Sequence, residues 1–73
     1  MNNDIFNHLM ERLLSKADDA LNTYQKDKSN EFYSGRVEAY YEVLDALKSE
    51  LTVWDYDLDQ CGLDFDLDKK YLA

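Results

Sequence analysis

Seventy-three residues with sixteen acidic and eight basic side chains carry a net charge of −8, and 45% of the chain is apolar. That length makes one domain, and that apolar share is too high for a disordered chain. The charge excludes the Lys- and Arg-driven neutralisation of phosphates on which nucleic-acid binding rests, and attraction to an anionic membrane surface likewise.

The sole cysteine, Cys61, leaves no internal disulfide and no multi-cysteine zinc site to brace a small core. Pairing with another chain is then the expected remedy for a thin stability margin, and a homodimer the expected state. No apolar run approaches the ~20 residues of a membrane span. The start Met1-Asn2-Asn3-Asp4-Ile5 lacks the basic and apolar regions of a signal peptide. The expected location is the cytoplasm, where a thiol stays reduced. Charge is also uneven along the chain. Met1 to Arg36 holds six acids and five bases, Val37 to Asp68 ten acids and one base, Lys48. The second half repels polyanions and suits a basic protein partner.

Phe6, Met10, Leu13, Ala17, Ala20 and Tyr24 recur in alternating steps of four and three, the stripe of a helix. The predicted first helix covers 4–26, with Asn2, Asn3 or Asp4 as its cap. The polar run Gln25 to Asn30 is the expected turn, with Ser29 and Asn30 as caps for a second helix. From Tyr33 the same steps continue through Val37, Tyr40, Leu44, Leu47, Leu51, Trp54, Leu58 and Cys61. They predict one unbroken helix over 31–61, closed by Gly62 in a left-handed conformation, with Leu63 making the accompanying apolar contact. Gly35 costs about 1 kcal/mol inside a helix. It either permits close approach near the turn or marks Ser34 as the true cap.

A second reading of the last third stays open. Trp54, Tyr56 and Leu58 alternate with aspartates, and so do Leu63, Phe65 and Leu67. Two such runs around Gln60-Cys61-Gly62 signal a β-hairpin over 53–67, although aspartate disfavours strands. On the helical reading, residues past Gly62 form an extended tail, ending in a turn over Lys69 to Leu72 capped by Asp66 or Asp68. Helix 2 would outreach helix 1 by roughly 13 Å. Trp54, Leu58 and Cys61 would then need cover from Leu63, Phe65, Leu67 and Leu72, or from a second chain. Ile5, Leu9, Leu14 and Leu21 on helix 1, with Tyr41, Val43 and Val53 on helix 2, widen the apolar stripes toward those of a bundle core. The expected fold is therefore all-α: an antiparallel hairpin that completes a four-helix bundle as a dimer.

Arg36, Tyr40 and Tyr41 form the one cationic-aromatic cluster and are the candidate partner-binding residues. Arg36 reaches the Tyr40 ring one turn on, a contact of about 0.5–1 kcal/mol when exposed. The competing reading is a bundle core with tyrosine edges. Asp55, Asp57, Asp59 and Asp66 occupy positions 1, 3, 5 and 12 of a calcium-loop register. That register has Gln60 where the loop needs glycine, and an aspartate in place of the closing glutamate. A solvated acidic face competes with it.

His8 reads as a surface imidazole near Asp4. A nucleophilic Cys61 would need that histidine beside it, whereas its place in the seam reads as a buried thiol. No Glu-x-x-His pair, glycine-rich phosphate loop or Gly-x-Ser-x-Gly turn occurs. Neither catalysis nor a cofactor is expected.

The stretch Tyr33-Ser-Gly-Arg-Val-Glu-Ala-Tyr-Tyr-Glu-Val-Leu44-Asp-Ala-Leu-Lys48 resembles short uncharacterised proteins of Gram-positive bacteria and their mobile elements. The ending Cys61-Gly-Leu-Asp-Phe-Asp-Leu-Asp68-Lys-Lys is similar to theirs. The resemblance spans roughly the second half of the chain. It implies a small accessory or regulatory protein and transfers no site residue or substrate. The functional expectation is a non-enzymatic protein-interaction module, one variant being an acidic inhibitor seated in another protein's nucleic-acid site. The alternative is a calcium-binding protein.

Overall fold

The computed structural model describes residues 3–72, which form three helices: α1 (Asn3–Lys26), α2 (Glu31–Val53) and α3 (Leu67–Tyr71). Asp4 lies in the first turn of α1 and Lys26 in its last, each matched in sign to the helix dipole there. Of the expected caps, Asn2 lies outside the described residues. The turn is closed by Asp27 and Asn30. Asp27 donates its N–H to the Tyr24 carbonyl and accepts from Ser29 Oγ, while the Asn30 side chain accepts the Tyr33 N–H at 3.1 Å. Asn30 is thus the cap of α2, and Ser34 is already helical. Gly35 faces open space, so close approach is not its purpose.

α1 and α2 lie side by side, joined by their predicted seams. Met10, Ala17 and Ala20 meet Val37 and Leu44 in the buried core. Phe6, Leu13, Tyr24, Tyr40, Leu47 and Leu51 pack around that centre.

The helix predicted over 31–61 stops at Val53. Trp54 still donates to the Glu50 carbonyl, but Asp55 turns to φ 60° and donates to Thr52, and Tyr56 donates to Leu51. This crossed pair of bonds is the glycine-type helix stop, here built with aspartate in the left-handed position. A second stop of the same kind comes at once. Gly62, at φ 81°, donates to Asp59 while Leu63 donates to Leu58. Gly62 does adopt the expected left-handed conformation, but it ends a short turn and not the long helix. No strand occurs among the described residues, so the hairpin reading of 53–67 is corrected too.

The early stop has a physical reason. With 24 and 23 residues, α1 and α2 are matched rods of about 36 and 34 Å. A longer α2 would carry Leu58 and Cys61 past any cover. By turning at Asp55 the chain folds back along the hairpin, and Cys61, Leu63, Leu67 and Tyr71 become four of the nine buried core residues among those described. The left-handed aspartate costs about 1–2 kcal/mol. Burying a single large apolar side chain returns about 1.5–3 kcal/mol, enough to offset that local strain.

Asp66 caps α3, accepting the Lys69 N–H at 3.1 Å. Of the residues expected to fold back, Leu63, Phe65 and Leu67 do, but Leu72 is exposed and Tyr71 takes the inner place.

Candidate interaction surface

The strap over 54–72 covers one side of the hairpin. Three tyrosine hydroxyls fasten it to the helices. Tyr56 donates to Asn7 Oδ1 at 3.0 Å, Tyr71 to Asp18 Oδ1 at 2.9 Å, and Tyr41 to Asp68 Oδ1 at 2.6 Å. Lys48 donates to the Phe65 carbonyl, and Lys70 pairs with Asp18 at 2.9 Å while lying over the Phe65 ring. Burial, then the Asp18 hydrogen bond and its charge, push the Tyr71 hydroxyl well above the ordinary tyrosine range. Tyr41 is pushed up to about 12, first by its bond to Asp68, then by burial and by the charges of Asp45, Asp68 and Asp66. Both phenols are held protonated, Tyr71 first by burial and then by its carboxylate partner, Tyr41 first by its carboxylate partner.

The candidate trio Arg36, Tyr40 and Tyr41 is therefore split. Arg36 does sit over the Tyr40 ring, 5.8 Å from its centroid. Tyr41, one residue on, turns by ~100° to the strap side and is occupied by Asp68. A patch written as consecutive residues on a helix rarely shares one face.

The opposite side of the hairpin is open. Leu13, Phe32, Arg36, Ala39, Tyr40 and Val43 line a shallow groove of about 380 Å³ there. Phe32 is 74% exposed, Ile5, Leu9 and Val43 about half exposed. Helical spacing puts Ile5, Leu9 and Leu13 on the α1 side of this face, with Arg12 and Lys16 at its rim. At the far end of α2, the exposed Trp54 donates its indole N–H to Glu50 Oε1 at 2.9 Å. The wide stripes expected from the sequence thus divide: Leu14, Leu21 and Tyr41 pack against the core, while Ile5, Leu9, Val43 and Val53 face outward.

The other candidates take less eventful places. Asp55, Asp57, Asp59 and Asp66 are exposed along the outside of the strap. Asp57 accepts the Asp59 N–H and Asp66 caps α3, so two of the four carboxylates serve backbone turns. Among the described residues no three His, Cys, Asp or Glu side chains come together as a metal-holding group. Exposed His8 and buried Cys61 line one open groove of about 690 Å³ together with Asp4, Glu11, Asp18 and Asp59. The Cys61 thiol points to the Leu58 carbonyl at 3.5 Å. No described helix is long and apolar enough to cross a membrane.

No protein-family model, curated protein or solved structure matches the chain. The surface itself is therefore the guide to function.

Proposed function

We propose that this is a small acidic module that acts in the cytoplasm by binding protein and not by catalysis. Two hairpins associate through their open faces, completing a four-helix bundle. The observation that carries the reading is the division of the hairpin into two sides. The strap covers one, while on the other Leu13, Phe32, Ala39, Val43 and the Arg36–Tyr40 pair line one groove, and Ile5 and Leu9 are exposed further along α1. Exposed apolar groups scattered singly are ordinary, but a contiguous set rimmed by charge is a feature of binding surfaces.

Sedimentation across ~1 µM to ~1 mM tests self-association, spanning contacts worth about 8 to 4 kcal/mol. The mass is expected to climb from 8.6 kDa toward twice that value. A single 8.6 kDa species throughout overturns the self-associating form.

A second reading concerns a basic protein partner. Asp55, Asp57, Asp59, Asp64, Asp66 and Asp68 are all exposed on the strap, a concentration of charge suited to electrostatic capture. Binding of a basic partner there is expected to collapse with added salt, and indifference to salt refutes that route.

A further inference from the structure

The open side of α2 has an order that neither burial nor charge alone explains. Phe32, Arg36, Ala39, Val43, Leu47, Glu50 and, at the C-cap, Trp54 succeed one another at steps of 4, 3, 4, 4, 3 and 4, with half-buried Leu47 at the border between this side and the core. The spacing reads the same in both directions about Val43. So does the chemistry: aromatic at both ends, then opposite charges, then small or branched apolar residues.

We infer that the occupant of this face is a second copy of the chain, its α2 antiparallel to the first across a two-fold axis at Val43. This rests on the self-association proposed above and assigns its register. In a two-fold contact each residue meets its mirror position. Val43 meets its own counterpart, Ala39 meets Leu47, Phe32 meets Trp54, and Arg36 meets Glu50. Arg36 and Glu50 each lie seven residues from Val43, about 10 Å along the helix. Within one chain they stand fourteen residues apart, about 21 Å, beyond any direct pairing. Their complementarity is usable only between chains, where it forms twice.

Both charged groups are held along the face beforehand. Arg36 lies over Tyr40, and Glu50 is bonded to the Trp54 indole. Such ordering reduces the entropy lost when the pairs form. The face also answers the repulsion expected of a chain with net charge −8. One positive and one negative group sit on this strip of α2, so two copies meet there without opposing like charges. Arg12 and Lys16 are exposed on the neighbouring α1.

Sedimentation of the full chain and a small set of variants tests the register. Val43→Glu sets two carboxylates against each other on the axis and is expected to weaken the dimer tenfold or more. Arg36→Glu alone, and Glu50→Arg alone, each oppose like charges and weaken it similarly. The double variant Arg36→Glu with Glu50→Arg restores the pairing and returns affinity to within about threefold of the parent. Glu38→Arg, on another side of α2, leaves the mass unchanged. Circular dichroism on each variant monitors the fold, and the charge exchange keeps the test intact if Val43→Glu unfolds. A parent that stays monomeric overturns both this register and the self-association beneath it. A dimer indifferent to Val43→Glu, or one not rescued by the exchange, overturns the register alone.

Discussion

Gly62→Ala isolates the turn that brings the strap onto the hairpin. Gly62 holds φ 81°, and an added Cβ would stand 3.0 Å from Leu14 Cδ1. The left-handed conformation costs a non-glycine residue about 1–2 kcal/mol, of which alanine recovers roughly 0.4–1 through a stiffer unfolded chain. The Leu14 contact adds to the cost by as much as the Leu14 side chain fails to give way beside the completely buried Leu63. The net expectation is a loss of about 1–2 kcal/mol from a domain whose total stability is roughly 4–11 kcal/mol. At about 4–8 °C per kcal/mol, the thermal midpoint falls by roughly 4–16 °C. Calorimetry or far-UV dichroism at one fixed protein concentration reads it, since self-association makes the midpoint concentration-dependent. Repeating the substitution in a Leu14→Ala background separates the two causes. Strain from φ persists there, whereas the contact cost disappears. An unchanged midpoint for Gly62→Ala would refute the left-handed turn, and with it the route by which the strap returns.

The same geometry sets three further outcomes. Asp55→Gly removes the left-handed strain at the end of α2 and is expected to raise stability by roughly 0.5 kcal/mol in urea unfolding, where a loss would contradict the stop at Asp55. Gly35→Ala, facing open space inside α2, should stabilise by about 0.5–1 kcal/mol, and destabilisation in the same assay would mean that Gly35 is packed. Tyr41 and Tyr71 have folded-state pKa values raised above the unfolded value, so the folded protein holds more protons at high pH. Their contribution is full below about pH 10 and is lost as pH rises through the folded values. The thermal midpoint should fall steeply above that pH, and Tyr71→Phe should flatten the fall. An unchanged alkaline slope in Tyr71→Phe would remove the Asp18–Tyr71 bond as its cause.

Much of the architecture was legible from the order of residues. The 4-3 stripe of α1, the turn with Asn30 among its candidate caps, the seam of α2 as far as Leu51, the left-handed Gly62 and Asp66 as one of two candidate caps are local features. Each depends on side chains within a few residues of one another, so spacing alone reveals it. The point where α2 ends was not legible. Asp55 sits in a run of alternating aspartates, and nothing nearby marks it as the one that adopts a positive φ. The seam's steps continue through Leu58 and Cys61 because the second turn also directs those residues at the core, in a phase that imitates a helix.

Which apolar groups face inward was likewise a tertiary matter. Tyr40 and Tyr41 are neighbours in the chain, yet one borders the open groove and the other is claimed by Asp68. Periodicity specifies the angle of a side chain around its helix, but not which side a third segment will cover. That side was decided by the strap, whose burial of Leu63, Leu67 and Tyr71 outweighs the cost of one strained aspartate.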